Sequence, residues 1–280
     1  MAAQAQPLPL SMEKLSPKVF DAFKELIYRE SGITLGPQKE ALVASRLAKR
    51  MRALGMRSYE KYLDYVAHDT EANELVQLLD AISTNVTHFF REERHFDMLS
   101  RTIKEWSDKG QREFRIWCAA SSTGEEPYSL AITLSEVLPP DANFKILASD
   151  ISTTVLDKAE AAVYQERHVE KIDRMVLQRY FQKGHGKASG HYRVKKELRD
   201  HLTFRRLNLS RTPFPLEGPF DMVFCRNVMI YFDNAIRQGV LDQVQRLLRP
   251  GGYFVVGHSE CMTGIAEGFK VVEPAVYRKQ

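Results

Sequence analysis

Long apolar runs are missing from this 280-residue sequence. None approaches the ~20 residues that span a bilayer, so no direct membrane insertion is expected. Met1 to Leu10 hold no basic stretch leading into an apolar core, so the opening does not read as a secretory leader. A cytoplasmic protein is the expectation. Cysteine is scarce: Cys118, Cys225 and Cys261 make three, too few and too odd a number for a disulfide framework. Buried reduced thiols fit them better. A surplus of one charge is lacking too, with 40 Lys+Arg against 36 Asp+Glu and a net charge of +4. That balance is too mild to argue for nucleic acid as a partner. There is no internal repeat and no low-complexity stretch. The composition, 44% hydrophobic and 27% charged, is that of an ordinary soluble globular protein.

What is present centres on Ile116 to Ala131. An apolar run, a loop of small residues and a second apolar segment read as strand, tight loop and helix. Small side chains let a ligand approach the loop, and the helix start behind it offers free N–H groups. A nicotinamide dehydrogenase would want G-x-G-x-x-G here, and Ala119 to Gly124 do not supply it. Glu125 and Glu126 stand where a dinucleotide site holds its pyrophosphate. They repel phosphate and welcome a cation, which points to a sulfonium cofactor such as S-adenosylmethionine.

Before this centre, residues to about 82 read as all helix. Phe20, Phe23, Leu26 and Ile27 recur at helical spacing, and Ser31-Gly32 ends that segment. A second helix is expected over about 38–54. Val43, Leu47, Met51 and Leu54 share its apolar face, with Arg46, Lys49 and Arg50 beside it. The plainer reading of those cations is a solvated face; the sharper one is a docking surface for an acidic partner. Tyr59 to Val66 and Leu75 to Ile82 continue as helices. The join, residues 83–99, mixes Ser83, Thr84, Asn85 and Thr87 with the aromatic pair Phe89-Phe90. His88 and His95 read as surface or packing histidines.

After the join, strand-like and helical runs alternate. Strands are expected at Phe114–Ala119, Phe144–Ala148, Leu202–Leu207, Phe220–Cys225 and Tyr253–Gly257, and helices at 126–138, 152–162 and 233–248. This predicts an α/β fold, a mainly parallel sheet with helices on both faces and ligands at the strands' carboxyl ends. Asp150, ending the second strand, is placed for ribose hydroxyls, or it caps the following helix. Asn208-Leu209, after the third strand, suits the edge and face of a purine. Arg226-Asn227, after the fourth, closes an apolar strand with a polar pair, a pattern that marks a site. Residues 182–200 interrupt the alternation. There, His191 to Lys195 alternate like an exposed strand, so an antiparallel insertion fits.

Together these segments resemble the chemoreceptor glutamate methyltransferases, the CheR family of bacterial chemotaxis. The resemblance rests on Thr84–Glu92, Ser122–Ser129, Ala148–Ile151, Phe224–Phe232 and Gly257–Glu260, in the family's order and spacing. It covers the chain from about Leu15. It implies a small all-α N-terminal domain at 12–82 that faces the receptor. A linker follows at 83–99 and contributes cofactor contacts. A class I, Rossmann-like methyltransferase domain then occupies 100–280, with a three-stranded antiparallel insertion. It implies S-adenosylmethionine as donor, with S-adenosylhomocysteine as product. The implied acceptors are glutamates of methyl-accepting chemotaxis receptors. Position by position, it implies cofactor contacts at Asn85, Thr87, Arg91, one of Glu125 and Glu126 (the second favoured), Asp150, Asn208, Leu209, Arg226 and Asn227. It places Arg91 and Tyr231 at the reacting centre. It matches Arg46, Lys49 and Arg50 to the receptor-facing surface. In some members the insertion grips a peptide at the receptor's C-terminus. A monomer working in the cytoplasm at receptor arrays, without a metal, is the resulting expectation.

The chemistry agrees with that implication. A free glutamate titrates near ~4.3, so the acceptor is ionised at neutral pH and no general base is needed. The lack of a Ser-His-Asp or Cys-His arrangement is then unsurprising. Competing readings are a methyltransferase for RNA or a small molecule, and a non-enzymatic adaptor that senses S-adenosylhomocysteine.

Overall fold

The computed structural model describes residues 13–70, 73–260, 262 and 267–280. Cys261 and the opening residues to Leu10, read above, lie outside the described residues. Two compact units divide the chain, Met1–Thr84 and Asn85–Gln280.

The first unit is helical. It holds α1 (Pro17–Ser31), α2 (Glu40–Ala53), α3 (Tyr59–Ala67) and α4 (Asn73–Ile82), with a 3-10 turn at Pro37–Lys39. The ends of α1 follow from its residues. The Ser16 hydroxyl accepts from the Val19 N–H at 3.4 Å, Pro17 fills a position whose N–H would be spare, and Gly32 closes the helix at φ 73°. Phe23 and Leu47 are fully buried, as are Met51 and Tyr62, so each helix buries the stripe its spacing predicted.

The second unit begins with a loop and α5 (Arg94–Asp108), whose His95, Phe96, Leu99 and Ile103 are buried. The main sheet is built from β1 (Glu113–Ala119), β2 (Asn143–Asp150), β6 (Leu202–Arg206), β7 (Phe220–Cys225), β8 (Leu248–Val255), β9 (Phe269–Glu273) and β10 (Val276–Lys279). Its order is β6-β2-β1-β7-β8-β10-β9. The first five strands are parallel, and β10 runs antiparallel to both its neighbours. Helices α6 (Glu125–Val137) and α7 (Thr153–Ala161) join α5 on one face, and α11 (Asn234–Leu247) backs the other. The period-2 alternation of the strands decides the faces. Phe114, Ile116 and Cys118 enter the core with α5 and α6, and Trp117 and Ala119 enter the core with α11. The chain runs from β1 outward through β2 to β6, then returns to lay β7 on the far side of β1. That reversal opens a crevice at the carboxyl ends of β1 and β7.

Three differences from the sequence reading have physical causes. The last parallel strand starts at Leu248 rather than Tyr253, because Gly251-Gly252 form an irregularity within it instead of a separating turn. Arg249, inside that irregularity, pairs with the buried Asp221 at 2.6 Å. The small sheet reaches further back than 182–200. Its strands are β3 (Val163–Gln165), β4 (Phe181–Lys183) and β5 (His191–Val194) in the order β3-β5-β4, with the short helices α8 (Glu166–Val169) and α9 (Arg174–Tyr180) inside it and α10 (Lys196–Arg199) after it. Strands of three residues are too short to show alternation. Finally, α5 begins at Arg94, so the second half of the 83–99 join is already helix.

Candidate active site

The β1–α6 loop is shaped by its backbone. Ala120, Ser122 and Gly124 all take positive φ, the last at 97°. A Cβ on Gly124 would stand 2.8 Å from the Tyr164 hydroxyl and 2.9 Å from the Ala159 Cβ, so angle and space both require glycine. Asp150 fastens the loop to β2. Its carboxylate accepts from the Ser122 N–H at 2.9 Å and the Ser152 N–H at 3.0 Å. The cap of α7 is Ser152, whose hydroxyl accepts from the Val155 N–H at 3.2 Å, so the helix-cap alternative for Asp150 falls away.

Residues 85–93 form an arch pinned to this loop. The Ser122 hydroxyl donates to the Asn85 carbonyl at 3.0 Å, and the Phe90 N–H donates to the Ser129 hydroxyl on α6 at 2.9 Å. Phe89 is buried edge-on against Tyr164 and Phe181 of the small sheet, with ring centroids 4.9 and 5.4 Å away. Asn85, Thr87 and Arg91 are half-buried on the arch, and the Arg91 guanidinium donates to the Val86 carbonyl at 2.8 Å.

At the centre lies Arg226, whose side chain is 0% exposed. It bridges two carboxylates, Glu126 at 2.6 Å and Glu92 at 3.0 Å, and donates to the Arg91 carbonyl. Sequence reading placed Arg226 on the cofactor wall; there its guanidinium ties the arch to α6. Glu126 is correspondingly occupied, since its other oxygen accepts from the Cys118 thiol at 3.3 Å. Glu125 is buried beside it, and one of its oxygens accepts from the Thr123 hydroxyl at 2.6 Å. Burial would raise the Glu92 pKa, but the charge and hydrogen bond of Arg226, the Asn227 amide and His258 together outweigh it, and the net shift is downward. Burial would likewise lower that of Arg226, and Glu126 and Glu92 reverse the sign.

The wall after β7 is held by a residue the sequence reading gave no role. Glu260, buried, accepts from the N–H groups of Gly257 at 2.6 Å, Asn227 at 2.7 Å and Ile230 at 3.2 Å. Asn227, at φ 59°, also donates its side-chain amide to Glu92 at 3.3 Å. Tyr231 ends a 3-10 turn there, half-buried. Asn208 is half-buried beside the buried Leu209, and its side-chain oxygen accepts from Ser210. Both Glu92 and Glu260 lie inside segments that carried the family resemblance, but nothing local to either marked it for a role.

Glu92, His95 and His258 bring ligand atoms within 4.8 Å of one another, a spacing open to a metal. The Glu92 oxygen nearest His95 also holds Arg226, and a divalent ion there would face that buried cation. His95 is buried without a hydrogen-bond partner on either ring nitrogen. Burial, then Arg226, pushes its pKa down to about 4.

In the first unit, the three basic residues of α2 separate. Arg50 is bidentate to Glu74 at 2.7 and 2.5 Å, and Glu74 also accepts from the buried Tyr62 hydroxyl at 2.8 Å. Arg46 donates to the carbonyls of Ile82 and Ser83 at the end of α4. Lys49 alone of the three is exposed, with Arg52 exposed on the same helix.

The sequence matches the CheR methyltransferase all-alpha domain over residues 18–83 and the CheR methyltransferase SAM binding domain over 85–278. It is 39% identical over 264 residues to a chemotaxis protein methyltransferase of Escherichia coli, covering 94% of this chain and 91% of that one. Chemotaxis protein methyltransferase 2 of Pseudomonas aeruginosa is 41% identical over 259 residues, covering 92% and 91%. The Klebsiella aerogenes enzyme is 40% identical over 278 residues, covering 99% and 93%.

Proposed function

The chain belongs to the CheR methyltransferase family, and on that premise we propose that it transfers a methyl group from S-adenosylmethionine to glutamate carboxylates of chemotaxis receptors. One observation supports this most. The crevice at the switch point is lined by buried and half-buried carboxylates, and Arg226, the single buried cation among the described residues, is already spent between two of them. A phosphate would be repelled there; a sulfonium amino acid is matched.

The donor set fits that cofactor group by group. Glu125 takes the amino group, since the charge of Glu126 is already met by Arg226. Asp150 faces the ribose hydroxyls from the end of β2. Asn208 and Leu209 suit the adenine edge and face, and Asn85, Thr87 and Asn227 close the remaining sides. Bound there, the cofactor supplies an electrophilic methyl group.

The chain's residues then have two tasks. Arg91, on the arch, orients the incoming carboxylate by bonding one oxygen while the other attacks. Tyr231 walls the reacting centre from the opposite loop. Holding reacting atoms about 3–3.5 Å apart can supply ~7–11 kcal/mol of the barrier without any proton transfer. Excluding water adds to this, because a carboxylate loses its charge in the step. The exposed Lys49 and Arg52 draw the glutamate-rich receptor surface to the first unit.

The test is label transfer from methyl-tritiated cofactor to receptor-bearing membranes, read as methanol released in base. Carboxyl methyl esters release methanol; N-methyl groups do not. Arg91→Ala should cut turnover by about 10²-fold or more, with a much smaller loss in S-adenosylhomocysteine affinity. Equal losses in both would remove the acceptor role from Arg91, and label stable to base would remove glutamate as the substrate.

A further inference from the structure

Beside the crevice, the sheet carries a second concave site on the face away from α6 and α7. Arg115 of β1, Lys145 of β2, and Arg205 and Arg206 of β6 line a groove of about 680 Å³, with Leu147, Leu216 and Phe220 among its apolar lining. Arg115 and Lys145 sit opposite one another in the β1–β2 register, four residues before the strand end at Ala119. Arg205 and Arg206 end β6, Arg206 level with Asp150, so the groove adjoins the crevice on that side and runs back from it along β2 and β1.

Four cations share this space, and each leans on a neutral carbonyl. Arg115 donates to Glu217 O at 3.1 Å, Lys145 to Asp200 O at 3.3 Å, Arg205 to Phe204 O at 3.3 Å and Arg206 to Ile151 O at 3.2 Å. Among the described residues none of the four is ion-paired with a carboxylate, although Glu217 also lines the groove. Four like charges held together over an apolar floor repel one another and attract a compact polyanion. The floor also reads an aromatic body. The Arg115 guanidinium lies over the Phe220 ring at 5.2 Å, a stacked arrangement that leaves its outer face for a second planar group. The volume falls within the ~300–1,000 Å³ of small-molecule sites.

We propose that this groove binds a nucleotide, its base stacked on Arg115 and its phosphates held by Lys145, Arg205 and Arg206. The test titrates ATP and GTP into the full-length protein by calorimetry, with S-adenosylhomocysteine saturating the cofactor crevice. Saturable one-site binding is expected. It should weaken at least about tenfold in Lys145→Glu/Arg205→Glu, as when charge-assisted bonds are lost, with S-adenosylhomocysteine affinity unchanged. Arg115→Ala should weaken ATP more than inorganic tripolyphosphate. The proposal is overturned by absent binding, by binding that S-adenosylhomocysteine abolishes, by tripolyphosphate binding the wild type as tightly as ATP, or by a glutamate-rich peptide taking the groove instead.

Discussion

At the scale of single residues, Arg226 shows how much a buried charge can organise. Its side chain is 0% exposed and spans Glu126 and Glu92 at 2.6 and 3.0 Å. Removing one member of a buried ionic group strands the others, which costs about 3–5 kcal/mol. Arg226→Met should therefore lower the urea midpoint sharply. Arg226→Lys should fall between it and the wild type, because one ammonium cannot span both carboxylates as a planar fork does. Equal stability of Met and wild type would show that the bridge contributes nothing. His95 supplies a pH dependence at the same place. Its folded pKa of about 4 lies below the 6.5 of a free histidine, through burial and the nearby Arg226. Between those values the unfolded chain binds the extra proton, so stability falls as pH drops from 6.5 toward 4 and is unaffected above. Unfolding His95→Asn and wild type at pH 7 and pH 5 should show the gap between them shift in favour of the variant at pH 5. These roles were only half legible. Arg226-Asn227 announced a site by ending an apolar strand, but where the guanidinium points depends on Glu92, 134 residues away.

At the scale of elements, α2 shows what local pattern leaves out. Arg46, Lys49 and Arg50 share a helix side by spacing alone, and spacing cannot register what α3 and α4 bring against them. Arg50 meets Glu74, which is 4% exposed and also receives the Tyr62 hydroxyl. The result is a polar clamp between three helices, and Tyr62 is correspondingly discouraged from ionising, by burial first and then by Glu74. Arg50→Ala should cost about 2–4 kcal/mol, with a buried carboxylate left unmatched. Lys49→Glu/Arg52→Glu, on exposed positions, should change stability by less than about 0.5 kcal/mol. The double reversal should nonetheless weaken association with receptor membranes, most visibly at low salt, measured by co-sedimentation. If Arg50→Ala weakens binding while remaining fully stable and the reversal does not, the docking surface lies elsewhere on the unit. By contrast, the helix expected at 126–138 is found at Glu125–Val137. Its run from Glu125 to Leu134 is buried throughout, the two glutamates included.

At the scale of the whole molecule, the sequence reading recovered the alternation that builds the parallel half of the sheet and missed what closes it. The pair β9 and β10 joins through antiparallel pairing at an edge, and β9 is largely exposed, so it carries no continuous apolar signature. Pattern suggested a linker spanning 83–99, yet the arch from Asn85 is bound by Ser122, Ser129 and Arg226, all within the second unit. A consequence can be measured. Every residue assigned to the cofactor, from Asn85 to Asn227, lies in Asn85–Gln280, and the exposed cations assigned to the receptor lie in Met1–Thr84. A fragment beginning at Asn85 should therefore keep its S-adenosylhomocysteine affinity within about threefold, less than the ~1.4 kcal/mol that a tenfold change represents. The same fragment should lose most methyl transfer to receptor membranes, because the electrostatic capture that orients the acceptor is gone. Raising the salt concentration should depress the full chain toward the fragment's rate while leaving cofactor affinity alone. A fragment that folds but binds the cofactor tenfold or more weakly would mean that the first unit helps to build the crevice. Unchanged transfer by the fragment would mean that the second unit finds the receptor by itself.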